Sequence, residues 1–354
     1  MTQTLSTTMT QTVAFDGHPA KVVELTNSNG FSIVVMDIGA TWLSCMVPIT
    51  DEPNREVLLG VKTMEDFQRQ GSYLGATVGR YANRIANGQF EIDGQWYQVD
   101  TNQAGHCLHG GENGFDKRRW DILEQSENCV VMGLKSPDGD QGFPGNLAVL
   151  VSYQVTEENL VTIHYHATTD KATPVNLTNH GYFNLLGAES GEDCKQHIVQ
   201  IHADQYLPTD MYGIPVDQPI SVMNTNFDFR LPKTIARDLF KDDEQIRAKG
   251  YDHSYLFDCS LQGVAPVARV ISPDEKVQLD VFTDKPAMQL YSGNYLAGTP
   301  NRSGGEYEDY AGLALETQFL PDTPNHSEWE QPSCILRPNS EYKSTTCYQF
   351  TSLG

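Results

Sequence analysis

The sequence has little positive charge. Lys and Arg number 24 against 46 Asp and Glu in 354 residues, a formal net charge of −22 at neutral pH. A nucleic-acid partner needs a basic face to replace phosphate counterions, so this balance argues against one. An anionic membrane surface is disfavoured for the same reason, whereas a neutral substrate fits. Acidity also has the plain reading of solubility. Paired cysteines are lacking too. The seven, at 45, 107, 129, 194, 259, 334 and 347, are odd in number and show no C-x-x-C spacing. That argues against a zinc finger or a disulfide framework and for reduced thiols in a cytoplasm. The first residues are polar, without the basic and apolar segments of a secretion signal. No window approaches the ~18–20 apolar residues of a membrane span. No Walker-type phosphate loop occurs.

Helical periodicity is scarce as well. The best candidate is 234–249, where Ile235, Leu239 and Ile246 fall roughly on one side, as a surface insertion. No internal repeat, low-complexity linker or composition break appears. We therefore expect a mobile tail at 1–12 and one domain over 13–354.

Strand signals fill the rest. Val22–Leu25 and Phe31–Val35 flank Asn29-Gly30, and Phe90–Ile92 and Trp96–Val99 flank Asp93-Gly94; both dipeptides suit hairpin turns. Alternating runs follow at 147–155, 160–166, 199–201, 267–271, 277–282, 288–291 and 313–319. This period-2 density predicts an all-β antiparallel sandwich or barrel. Apolar residues at 39% with 10% aromatics supply a large core, and a mean hydropathy of −0.42 describes an ordinary globule. Long loops rich in Gly, Asn, Asp and Pro, at 100–118, 136–146, 186–197, 205–230 and 298–310, are where sites are built on such scaffolds.

Titratable residues set among Gly and aromatics mark five segments, around Arg80–Arg84, His109, His180, Asp252 and Glu316. Glu316 alternates with apolar Leu313, Leu315 and Phe319, so it shares a face with Ala314 and Gln318. That face is either solvent, which makes Glu316 an ordinary carboxylate, or a cleft, which raises its pKa into a base's working range. His180 shares a polar row with Asn176, Thr178 and Tyr182; the row suits sugar hydroxyls and a wet surface equally. His109 precedes Gly110-Gly111, where backbone can approach a ligand. Arg80 and Arg84 have a salt-bridge reading, and Asp252 a turn-cap reading. Tyr182, Tyr291 and Tyr295 could stack on a sugar face or pack in the core. His164-Tyr165-His166 and His106-x-x-His109 have metal-like spacing but no evident third ligand, so we expect no metal.

Together these segments resemble the aldose 1-epimerase (galactose mutarotase) family, over about 22–348 and in the family's order. The resemblance is carried by Asn83-Arg84, by Leu108-His109-Gly110-Gly111 with Gly114-Phe115-Asp116-Lys117 and Trp120, and by Asp140-Gln141-Gly142-Phe143-Pro144-Gly145. Leu290-Tyr291-Ser292-Gly293-Asn294 and Leu320-Pro321-Asp322-Thr323-Pro324-Asn325-His326 complete it. Each motif is weak alone; the ordered set is specific, and its wording is nearest the bacterial cytoplasmic enzymes.

The resemblance implies a large antiparallel β-sandwich of galactose mutarotase type, few short helices, and sugar bound in an open cleft on one sheet. It implies interconversion of the α and β anomers of free aldohexoses such as galactose and glucose, in hexose and galactose metabolism, without cofactor. It makes Glu316 the general base, His180 the general acid and His109 a supporting histidine near the ring oxygen. Asn83, Arg84, Tyr182, Asp252 and Gln289 become sugar contacts. Gly181 departs from the Ser of many relatives, so any hydroxyl contact there is lost. A monomer or homodimer is compatible.

Anomer exchange breaks and re-forms the C1–O5 bond, which needs one acid and one base held together. We expect Glu316 charged and His180 protonated at neutral pH, because an acidic neighbourhood raises a histidine pKa. A bell-shaped pH dependence of kcat/KM follows. The rival readings are a hexose 6-phosphate epimerase, which requires an arginine cluster, a non-catalytic sugar binder, which has no use for the acid and base, and a cupin-like metal enzyme on His164 and His166.

Overall fold

The computed structural model describes residues 4–258 and 263–353. Two antiparallel sheets face one another. The larger has nine strands in the order Asp121–Gln125, Cys129–Ser136, Leu147–Val155, Leu160–Thr169, Tyr342–Ser352, Val277–Thr283, Ala265–Ile271, Ile198–Ile201 and Lys233–Thr234. The smaller has six: Tyr182–Phe183, Leu313–Gln318, Ala287–Tyr291, Asp252–Leu256, Gln205–Tyr206 and Ile220–Ser221. A four-stranded sheet over 22–56 closes one side. This is the expected β-sandwich with few short helices.

Alternation decides which face goes inward. In Leu147–Val155 every second side chain, from Leu147 through Tyr153 to Val155, is buried, while Ala148 and Leu150 are exposed. Trp42 packs against Phe183, Tyr348 and Phe350 at the centre, with ring centroids 5.5–6.5 Å apart. The Tyr348 hydroxyl donates to the Leu315 carbonyl (3.2 Å), so the nine-stranded sheet holds the back of the six-stranded one. Fully burying an aromatic of this size is worth several kcal/mol, about 3–5 by truncation to Ala. At the 92–95 turn both Asp93 (φ 53°) and Gly94 (φ 81°) are left-handed, the geometry that matches the strands' twist.

Two expectations fail. Residues 234–249 are not one helix: Thr234 pairs with Ile198, Ile235–Arg237 is a 3-10 turn, and only Asp243–Ala248 is α-helical. Asp242 starts that helix afresh, its side chain accepting from the Gln245 N–H (3.0 Å), and Ile246 is exposed although the periodicity placed it with buried Ile235. The N-terminal segment is not a free tail either. Leu5–Thr10 is a helix capped by Thr4, and Met9 is fully buried in a cluster with Met36, Leu43, Met64 and Phe67. Leu5 and Ala14 pack in or against the same cluster, so the segment is held by several apolar contacts.

The six described cysteines, 45, 107, 129, 194, 334 and 347, are free; Cys259 lies outside the described residues. No described helix is long and apolar enough to cross a membrane.

Candidate active site

Strand Leu313–Gln318 is buried on both faces. Leu313, Leu315 and Thr317 face the nine-stranded sheet, where the Thr317 and Thr346 hydroxyls meet (2.5 Å). Glu316 looks the other way, into a cleft roofed by loops. Gln289 stands opposite it in the neighbouring strand, followed by Ser254 one strand further. The Ser254 hydroxyl donates to Gln289 Oε1, and Gln289 Nε2 donates to Asp252 Oδ1 (2.6 Å). Asp252 in turn faces the Arg84 guanidinium (3.8 Å). A polar chain thus runs across the cleft floor from one strand to the next.

The remaining residues arrive on loops pinned by backbone hydrogen bonds. His180 follows the short strand Thr178–Asn179; its N–H donates to the Ala76 carbonyl (2.9 Å) and its carbonyl accepts from Gly75 (2.9 Å). Its Nε2 lies 3.6 Å from Glu316 Oε1. His109 has left-handed backbone (φ 50°) and exchanges bonds with Asn83: the His109 N–H donates to the Asn83 carbonyl (3.0 Å), and the Asn83 N–H donates to His109 Nδ1 (3.1 Å). With Nδ1 accepting, the neutral imidazole carries its proton on Nε2. The tight approach needs Gly110, where a Cβ would lie 2.0 Å from the Gly79 carbonyl oxygen.

Asp322, at the end of the segment following Glu316, holds the Arg84 stretch in place. Its N–H donates to the Arg84 carbonyl (2.7 Å), and its Oδ1 accepts from the Ala86 N–H (2.8 Å). One stretch of chain therefore sets the position of the carboxylate and of the arginine together.

These groups line a cavity of about 290 Å³, small enough for a monosaccharide-sized ligand. Asn83, Arg84, His109, His180, Tyr182, Asp252 and Glu316 all reach it; Gln289 sits in the floor behind them. Tyr182 is buried with its ring stacked on His180 (4.8 Å), Tyr291 packs against Tyr182 (5.9 Å), and Tyr295 is more than half exposed at the rim. Tyr73, Ser72 and Gln103 also line the cavity and carried no sequence signal: they lie in loops without periodicity, and only folding brings them here; Leu108, from the His109 motif, joins them. Arg80 does not reach it. Arg80 is buried elsewhere, donating to the carbonyls of Pro144 and Gly145 and to the Ser136 hydroxyl, with no carboxylate partner among the described residues. At Gly181 a Cβ would meet Asn179, Leu58 and Phe183, none of which lines the cavity. A serine hydroxyl there would start from the wall's inner side, so its absence leaves the lining intact.

Burial dominates the electrostatics. It pushes the Glu316 carboxyl up to about 8, reinforced by the negative charge of Asp252 and opposed by Arg84. It pushes the His180 imidazole down to about 4, outweighing the pull of Asp252. His109 is held well below the ordinary histidine value by burial, with His180 and Arg84 adding to it. The expected imidazolium at 180 is therefore corrected. In the free cleft at neutral pH the proton of the pair sits on the carboxyl, because removing water penalises two separated charges more than an acidic surface favours them.

Three ligand-type atoms, one each from His109, His180 and Glu316, lie within 4.8 Å of one another. Such a set can pass a proton between its members or take up a metal ion. The other metal-like spacings are used differently. His164 Nδ1 bonds the Thr345 hydroxyl (2.9 Å), His166 faces Glu341 (3.2 Å), and His106 Nδ1 accepts from the Asn87 N–H (3.0 Å).

The site and the sandwich define a sugar-sized polar cleft with a buried carboxyl–imidazole pair, and comparison with known proteins gives the class. The family model described as aldose 1-epimerase matches residues 21–349. The chain is 51% identical over 341 residues to the aldose 1-epimerase of Escherichia coli K12, covering 96% of this chain and 98% of that one. It is 39% identical to human galactose mutarotase over 297 residues, 84% of each chain. Among solved structures, an aldose epimerase homologue from C. elegans superposes with a TM-score of 0.85 at 29% identity, covering 95% of this chain and all of that one. A galactose 1-epimerase from Lactobacillus acidophilus gives 0.83 at 29% identity and 97% of both chains. The chain belongs to the aldose 1-epimerase family.

Proposed function

We propose that this protein is an isomerase that interconverts the α and β anomers of free aldohexoses, galactose and glucose first, with Glu316 and His180 as the proton-transfer pair. The observation that carries the reading is the 3.6 Å approach of His180 Nε2 to Glu316 Oε1 within a cavity also lined by the polar side chains of Asn83, Arg84, Gln103 and Asp252. Ring opening moves one proton from the C1 hydroxyl to the ring oxygen, and closure on the other face moves it back. A pair that holds one proton between them can do both, one member taking as the other gives.

The starting arrangement in the free cleft is protonated Glu316 and neutral His180. The alternative, carboxylate and imidazolium, has the same total charge. Sugar hydroxyls entering between the two groups supply the hydrogen bonds that stabilise that second arrangement. Glu316 then takes the C1 proton and His180 protonates the ring oxygen. His109, with its proton on Nε2, donates to charge growing on the ring oxygen. Asn83, Arg84, Asp252 and Gln289 hold the remaining hydroxyls.

Arg84 is the one arginine in the lining, and it already faces Asp252. That supports a neutral sugar over a hexose 6-phosphate, which calls for a cluster of free cations. The reading asks for no metal or organic cofactor, and we keep the partner to the aldose itself, with the chain as a monomer or homodimer in the cytoplasm serving hexose and galactose metabolism. The acidic surface and free thiols support that placement.

Polarimetry on freshly dissolved α-galactose and α-glucose tests it, with and without chelator. Wild type should accelerate the approach to equilibrium rotation and keep its rate in chelator. No acceleration with either sugar would sink the reading; activity lost to chelator would turn the three-ligand set into a metal site.

A further inference from the structure

Tyr73 stands where no motif pointed. Its ring meets His109 edge-on at 4.7 Å and lies nearly parallel to His180 at 5.9 Å, while the two imidazoles cross at 71° with centroids 5.2 Å apart. His180 is sandwiched, with Tyr182 on the other side at 4.8 Å. Tyr73 is the one side chain in ring contact with both histidines.

The backbone at this position is unusual for a tyrosine. Its φ of 56° is left-handed, a conformation that persists only where the surroundings over-determine it. Here they do. The Tyr73 carbonyl accepts from the Ala76 N–H (2.9 Å), the Gln70 side chain accepts from the Ser72 N–H (2.8 Å), and the Ser72 hydroxyl meets that of Thr299 (2.9 Å). The same 70–76 segment is tied to His180 through Gly75 and Ala76. The turn that carries the ring is thus fastened to the histidine it packs on.

The hydroxyl completes the picture. Tyr73 lines the cavity, is only partly buried, and its hydroxyl has no hydrogen-bond partner among the described residues. Tyr81 and Tyr348, deeper in the core, donate theirs to the Leu320 and Leu315 carbonyls. A polar group kept free at a sugar-sized cavity wall is one that a ligand oxygen can satisfy.

We propose that Tyr73 is a further positioning and sugar-contacting residue of this site: its ring sets the angle between the His109 and His180 imidazoles, and its hydroxyl bonds an oxygen of the bound aldose. This rests on the epimerase reading above. The ring also shields His180 from water, so it helps to set where that imidazole titrates. The other titratable groups facing His180 are Glu316, His109, Tyr182 and, further off, Asp252.

Two variants separate the two roles. Tyr73→Phe keeps the ring and removes the hydroxyl; it should raise KM about tenfold, the weight of one hydrogen bond, while kcat falls less than threefold. Tyr73→Leu removes the ring; it should lower kcat about tenfold or more and move the acid limb of kcat/KM upward by roughly one pH unit as water reaches His180. Thermal melting shows whether each variant is folded. Unchanged KM in the Phe variant, or a folded Leu variant whose pH profile superposes on wild type, would overturn the corresponding role. A wild type inactive on both sugars would instead overturn the epimerase reading, and this inference with it.

Discussion

Strands Leu160–Thr169 and Leu313–Gln318 carry the same kind of pattern and meet opposite fates. Both alternate apolar with polar side chains, and both set titratable groups on the polar face: His164 and His166 on one, Glu316 on the other. On the first strand the polar face is the outer side of the nine-stranded sheet, where His164 and His166 are half-buried and bond Thr345 and Glu341. On the second it is the floor of a roofed cleft, where every residue is buried. His164 is lowered by partial burial, against a partly compensating Asp284; His180, on the cleft wall, falls to about 4. A period of two says which residues share a face. It does not say whether that face is wet.

The largest effect that should separate the two regions is on turnover. Glu316→Gln and His180→Asn should each lower kcat by at least ~10²-fold, since each removes a proton transfer in the transition state. Steady-state polarimetry decides it, and a loss below threefold in either variant would remove that residue from its role.

Next in size is the pH profile of kcat/KM. The one-proton state of the pair spans the interval between about 4 and about 8, so activity should be flat within it and fall on both sides. The two limbs belong to the pair and not to either residue alone. An acid limb near 6.5, the ordinary histidine value, would show that the pair is not desolvated as described.

A smaller effect concerns stability. The folded-state pKa of Glu316 is raised from 4.5 to about 8, so the folded state binds the extra proton and the contribution of this carboxyl to stability falls as pH rises through that window, offset below about 6.5 by His180, whose lowered value acts with the opposite sign. The loss is complete above about 8. Glu316→Gln has no charge to bury; its Tm should rise relative to wild type from pH 5 to pH 8. Melting curves of both proteins at pH 5 and 8 check the sign. A constant difference would mean that the carboxyl is not desolvated.

The smallest effect is the control. His164→Ala and His166→Ala should leave kcat/KM within about twofold and stability within about 1 kcal/mol, as partly exposed hydrogen bonds usually do. A tenfold loss of activity in either would erase the contrast between the two faces.

Much of the fold was legible residue by residue. The alternation at 147–155 and 277–282 and the Asp93-Gly94 turn depend on neighbours one or two positions away, and each appears within a residue or two of its expected bounds. The 234–249 periodicity misled because Asp242 makes a better helix start than interior, which splits the segment. The tail misled because Met9 joins a buried cluster with residues distant in sequence, Met36, Leu43, Met64 and Phe67 among them. At the site, the motifs marked Asn83, Arg84, His109, His180, Asp252 and Glu316, which folding brings to one cavity. Tyr73 and Gln103 left no trace, since neither periodicity nor a glycine-rich context marks a loop side chain that happens to face a ligand.

The sequence by itself determined the strands, which residues share a face, the turn positions and the family. These follow from interactions between near neighbours and from an ordered set of motifs. Only the tertiary structure decided that the Glu316 face is dry, that His180 is neutral in the free cleft, and that Tyr73 braces both imidazoles. The physical reason is that desolvation is set by whatever surrounds a group from every side. The surroundings of Glu316 come from segments near 73, 84, 109, 180, 252 and 291, which meet only when the chain has folded.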